Sequence, residues 1–128
     1  MTYYFARTFE GGFEQTVTRA REALAAEGFG VITEIDIRKT LQNKIGVEFR
    51  PYLILGACNP SLAYEALLLE DKVGAMLPCN VVVQDAGDGR TEVAAIDPVA
   101  SMQAIENPAL AEKAAVVRDK LRTALERI

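Results

Sequence analysis

Tyr52-Leu53-Ile54-Leu55-Gly56-Ala57-Cys58-Asn59-Pro60 is the stretch from which the fold of this chain can be read. Arg50-Pro51 forces extended backbone just before it. The apolar run that follows is short for a helix and interrupted by Gly56, so it reads as a central strand, covered on both faces or buried at an interface. Asn59-Pro60 then opens a helix: an Asn side chain caps the first free amides, and Pro suits the first helical position, where its missing N–H costs nothing. That helix runs to about Glu70 and is apolar on nearly every side through Leu62, Ala63, Ala66, Leu67, Leu68 and Leu69, the pattern of a helix that is buried or meets another subunit.

Upstream, Tyr3 to Thr8 is short and aromatic and ends at Gly11-Gly12, as a first strand would. Phe13, Val17, Ala20 and Leu24 share one face of a helix from Phe13 to Glu27 that Gly28 stops. In the next strand Phe29, Val31, Thr33 and Ile35 are expected on one side and Gly30, Ile32 and Glu34 on the other. Asp36 caps a short helix through Ile37, Leu41 and Ile45, ended by Gly46. Downstream, Lys72 to Pro78 reads as irregular. Asn80 to Asp85 and Thr91 to Asp97 flank Gly87-Asp88-Gly89, a strong hairpin signal. Asp97-Pro98 and Asn107-Pro108 repeat the capping device. The second of these starts a helix from Pro108 to Arg127, whose apolar stripe Leu110, Ala114, Val117, Leu121, Leu125 and Ile128 calls for a sheet to cover.

The expected architecture is therefore α+β: a two-layer sandwich in the order β-α-β(4)-α, with a mainly antiparallel five-strand sheet and extra short helices between strands. Its two long helices should share one face. At 128 residues the chain fits a single domain, 1–128, with a sizeable core. Half hydrophobic and a quarter charged, it has the balance of a soluble globular protein. With 14 Lys and Arg against 18 Asp and Glu, its net charge of -4 repels phosphate backbones, and no basic cluster is present, so no nucleic-acid partner is expected. Met1 to Arg7 lacks the basic head and apolar middle of a signal peptide, and no apolar run approaches the ~20 residues of a membrane span, so a cytoplasmic location without a membrane partner is expected.

The element order, the Gly28-Phe29 step, Glu34-Ile35-Asp36, Gly56-Ala57-Cys58-Asn59-Pro60 and Leu77-Pro78-Cys79-Asn80 together resemble the bacterial and archaeal domain-of-unknown-function family 302, over nearly the whole chain. The two Cys-Asn motifs are the most specific part of the likeness. The resemblance implies the TATA-binding-protein-like (TBP-like) fold in single copy, with helices on one face of one antiparallel sheet, and a homodimer. It implies no reaction, and a fold does not carry its namesake's function with it. Gly12 departs from the acidic or polar residue expected to cap the first helix.

The chain has no histidine, which removes Ser-His-Asp and Cys-His catalysis and any His-ligated metal. No glycine-rich phosphate loop is present either. Glu34, Asp36, Glu48, Glu65, Glu70 and Asp71 form no spaced motif and read as caps or solvated residues, and Tyr52 and Tyr64 read as packing residues. The candidate site is the pair of Cys-Asn motifs: Cys58, Asn59, Cys79 and Asn80. If the strands carrying them are antiparallel neighbours, Cys58 and Cys79 meet at one edge of the sheet, with Cα atoms within roughly 10 Å. Cys58 also precedes a helix, whose positive end favours negative charge on sulfur. Two thiols do not complete a tetrahedral zinc site, but a dimer could bring four, and a pair can hold a thiophilic ion such as Cu(I). The leading expectation is a dimeric binding module, not an enzyme, taking a small ligand or a soft metal at Cys58 and Cys79, with no other cofactor implied. Two alternatives stand beside it. One is a thiol-dependent redox enzyme with Cys58 attacking and Cys79 resolving, and the other is an interaction scaffold whose cysteines are inert and buried.

Overall fold

The computed structural model describes residues 2–128. Five strands, β1 (Tyr4–Glu10), β2 (Gly30–Asp36), β3 (Tyr52–Cys58), β4 (Cys79–Gly87) and β5 (Arg90–Ile96), form one sheet in the order β1-β5-β4-β3-β2. All four pairings are antiparallel. Helices α1 (Phe13–Ala26) and α5 (Pro108–Arg127) are the two long ones, and α2 (Ile37–Ile45), α3 (Pro60–Leu69) and α4 (Pro98–Ser101) are shorter. The fold is the expected α+β sandwich.

Alternation along the strands divides the sheet into two faces. Leu53, Leu55 and Ala57 of β3, Val81 and Val83 of β4, and Val93 and Ala95 of β5 are buried on one of them. Val17, Ala20 and Leu24 of α1 and Leu121, Ala124 and Leu125 of α5 close the same cluster, so both long helices lie on that face, as their stripes require. A second cluster joins Ala66 of α3, Val73, Met102 and the first half of α5 through Leu110 and Ala114. The other face of the sheet is largely open. Registers align Ala6, Ala94, Val82, Ile54 and Ile35 in one row across all five strands.

The caps sit where Asp and Asn precede the helices. The side chains of Asp36, Asn59, Asp97 and Asn107 accept from the backbone N–H of Lys39, Leu62, Val99 and Leu110 at 2.9, 3.3, 2.9 and 3.2 Å. Gly12 precedes α1 with no side-chain cap, and its carbonyl instead accepts from both the backbone N–H and the hydroxyl of Thr16, at 3.1 and 2.9 Å.

Three local readings change. Lys72 to Pro78 is not irregular throughout: Asp71–Met76 is a 3-10 helix, begun by the Glu70 carboxylate accepting from the Lys72 N–H. β1 runs past Thr8 because Phe9 and Glu10 still find partners in Thr91 and Arg90. The single-sided reading of β2 fails at a bulge. Val31 pairs with Ala57 but Thr33 pairs with Gly56, so one residue of β3 separates them where β2 spends two. Phe29 and Val31 therefore pack on the helix face, whereas Thr33 lies across the open face from Gly56 and Glu34 turns to pair with Arg21 of α1.

Candidate functional site

The cysteines owe their proximity to the β3–β4 register. Ala57 lies directly opposite Cys79, and Cys58 is the next residue of β3. One step along a strand and one strand across put the two cysteine Cα atoms roughly 6 Å apart. Cys58 is where β3 leaves the sheet, and Asn59, through its cap on Leu62, turns the chain at once into α3. Cys79 opens β4 directly after Leu77-Pro78. Both are free thiols.

Cys58 and Cys79 line one cavity of ≈ 40 Å³, which lies between the two core clusters under Phe29, Leu62, Pro98 and Met102. A water needs about 10–15 Å³ of such volume, so the space suits an ion or a few waters; small-molecule pockets usually offer about 300–1,000 Å³. Cys79 is 6% exposed. Burial, and then the neighbouring Cys58 sulfur, push its thiol pKa from 9.0 up to about 11. It is a protonated thiol at neutral pH and a poor nucleophile unless something displaces its proton. Among the lining residues the one charged side chain is Lys113, whose Nζ pairs with Glu65 at 3.1 Å.

Of the four residues singled out in the sequence, Cys58, Asn59 and Cys79 share this cavity and Asn80 does not. Alternation turns Asn80 to the open face, where with Tyr3, Tyr4, Tyr52, Gln84 and Glu92 it borders a broad concavity of ≈ 400 Å³. There Arg50 Nε donates to Gln84 Oε1 at 2.9 Å and Gln84 Nε2 to Glu92 Oε1 at 3.2 Å. Tyr64 stands exposed on α3, away from both cavities. Asp36 caps α2, Glu34 and Glu65 are ion-paired, and Glu70 and Asp71 serve the start of the 3-10 helix.

Met102 is the site residue that motif reading misses. It is 8% exposed, ends α4, and lines the same cavity as the two cysteines. The available signal was elemental: the chain has two cysteines and three methionines, and Met102 follows the Asp97-Pro98 cap by one helical turn. Among the described residues no group of three or more His, Cys, Asp or Glu is placed to hold a metal, so one chain provides no tetrahedral zinc set of those types. No helix among the described residues is long and apolar enough to cross a membrane.

No curated protein matches the chain. A solved structure does: the crystal structure of the uncharacterized conserved protein DUF302 from Bacillus stearothermophilus is 33% identical and superposes with a TM-score of 0.91, covering 99% of this chain and 98% of that one. The family model described as domain of unknown function DUF302 matches residues 5–128. The strand order, the paired Cys-Asn motifs and these two likenesses agree, and the chain belongs to the DUF302 family.

Proposed function

We propose that this protein is a homodimeric binding module that holds a soft metal ion between Cys58 and Cys79. The observation that carries the proposal is the placement of two cysteines, one strand apart, along a cavity of ≈ 40 Å³. A volume of that size favours an ion over an organic ligand. Paired sulfur in an apolar wall favours thiophilic ions that accept low coordination. The thiol-redox alternative draws less support, because Cys79 at about 11 is reluctant to ionise for exchange chemistry. A strongly thiophilic ion displaces that proton on binding, so metal affinity should rise with pH.

The dimer rests on α3 and the 3-10 helix. Only Ala66 of α3 is buried, while Tyr64 and Leu68 are 63% and 69% exposed and Leu67, Leu69 and Met76 are also exposed. A contiguous apolar patch on a small protein is a surface for a partner, and a second copy is the partner that the fold family suggests. Elemental analysis of freshly purified protein, combined with native mass, tests both parts. Expected are a dimer and a copper-type ion at up to one per chain, or uptake of one Cu(I) per chain when it is offered without oxygen. A monomer contradicts the assembly, and a protein that neither carries nor takes up a soft ion contradicts the site.

A further inference from the structure

We infer that the open face of the sheet carries a second binding site, for an organic cation: a small amine joined to an aromatic or other flat apolar body. The inference is independent of the cysteine cavity. Ala6 on β1, Ala94 on β5 and Val82 on β4 form a low floor in the middle of this face. Two residues along the strands in one direction stand Tyr4, Ile96 and Asn80, and two residues in the other direction stand Glu92 and Gln84, with Tyr52 beside Gln84 on β3. Small residues between larger banks make the surface concave. Its ≈ 400 Å³ compares with ≈ 40 Å³ for the cysteine cavity and falls within the about 300–1,000 Å³ usual for small-molecule pockets. Glu92 and Ile96 are four residues apart on β5, roughly 13 Å, and Ile96 pairs with Tyr4. Less the reach of two side chains, that span suits one ring with a short amine arm.

The lining selects the class of ligand. Three of the chain's four tyrosines, Tyr3, Tyr4 and Tyr52, border this one concavity. Tyr3 and Tyr4 are exposed and meet edge to face with ring centroids 5.0 Å apart, so they form an aromatic corner outside the core. Aromatic faces of this kind receive flat apolar groups and cations. Tyr52 already takes one cation, since the Arg50 guanidinium lies 5.8 Å from its ring centroid. Glu92 is the only charged residue bordering the concavity, and among the described residues it has no salt bridge. Its carboxylate is held in place: Arg50 Nε donates to Gln84 Oε1, which turns Gln84 Nε2 to donate to Glu92 Oε1. The second carboxylate oxygen is left to accept from a ligand's N–H groups. Arg50 itself does not border the concavity, so the wall has one negative charge and no positive one. Such a wall favours a cation and disfavours a phosphate or carboxylate. The apolar patch of α3 is on the helix side of the sheet, where α3 packs with α5, so a dimer formed there leaves this face open.

Phenethylammonium, its neutral isostere phenylethyl alcohol and the anion phenylacetate, each titrated into the isotope-labelled full chain without metal and followed by amide NMR, test the site. The amine should shift the resonances of Val82, Gln84, Glu92 and Ala94 and bind roughly 10-fold or more tightly than the alcohol, with phenylacetate weakest. Glu92→Gln keeps the shape and an acceptor for Gln84, and it should erase the preference for the amine over the alcohol. Tyr4→Ala should weaken amine and alcohol alike. An amine preference that survives in folded Glu92→Gln, phenylacetate binding more tightly than the amine, or shifts confined to other elements would overturn the inference, as would no shifts with any of the three at millimolar concentration. Val82 and Ala94 methyl groups shielded from a soluble paramagnetic agent in the ligand-free protein would assign this face to a second copy of the chain and likewise overturn it. No metal enters the titration, so its outcome is separate from that of the cysteine site.

Discussion

Gly56→Ala should destabilise the protein, although Gly→Ala in a strand ordinarily helps. Gly56 sits in the middle of β3, between Thr33 on β2 and Asn80 on β4. A Cβ built there would overlap Thr33 Oγ1 and come within 2.7 Å of Pro78 Cγ. The hydroxyl can rotate away. The Pro78 ring cannot, since it is part of the backbone that sets Cys79 at the start of β4. Overpacking against such a neighbour costs about 1–3 kcal/mol, and the reduced freedom of the unfolded chain returns about 0.4–1 kcal/mol. The net loss should be about 1–2 kcal/mol, which in a domain of this size lowers Tm by roughly 4–8 °C. Thermal melts of Gly56→Ala, Thr33→Ala and the double variant provide the assay. Removing the hydroxyl should recover part of the loss, with a coupling of at least about 0.5 kcal/mol, because Thr33 and the new methyl compete for one space. Gly56→Ala as stable as the wild type, or no coupling with Thr33, would refute the packing described for this edge.

Three further expectations concern the same region. Cys79 is protonated in the folded state up to about 11 but ionises near 9.0 when unfolded, so the unfolded chain binds fewer protons between those values. The Cys79 contribution to stability is therefore intact below pH 9 and falls by about 2–3 kcal/mol by pH 11; urea unfolding should show this slope in the wild type and a correspondingly smaller one in Cys79→Ala. Asn59→Ala removes the acceptor for the Leu62 N–H and should cost about 1 kcal/mol in denaturant unfolding; an unchanged midpoint would mean that the cap is idle. Leu68→Glu places a charge in the exposed apolar patch of α3 and should shift sedimentation from dimer to monomer without lowering helix content; an unchanged dimer would move the interface elsewhere.

The fold was legible wherever a local rule and the global packing agreed. Periods of three and four placed α1 and α5, Asp-Gly placed the β4–β5 turn, and four Asp or Asn residues marked helix starts that the hydrogen bonds now show. Sequence alternation could not show the bulge between Val31 and Thr33, because a bulge adds one residue without any composition signal and reverses every side chain after it. The 3-10 helix at Asp71–Met76 was hidden by Gly74, which ordinarily breaks helices. In the site, the neighbouring of Cys58 and Cys79 followed from antiparallel pairing alone. Asn80 looked like part of the same motif, but one residue further along a strand is the opposite face. Met102 was invisible to motif reading, since its place beside the cysteines depends on how α4 and the second core cluster fold back over the sheet edge.

Whether Cys58 and Cys79 act as one site is most directly tested by titrating Cu(I) without oxygen, in competition with a chromophoric chelator, into the wild-type chain, Cys58→Ser and Cys79→Ala, with folding of each variant checked by circular dichroism. The cavity geometry predicts one tight equivalent per wild-type chain and its loss in either variant, because neither sulfur alone can hold the ion. Either folded variant binding as tightly as the wild type, or a wild-type chain that leaves all copper with the chelator, would contradict a shared site.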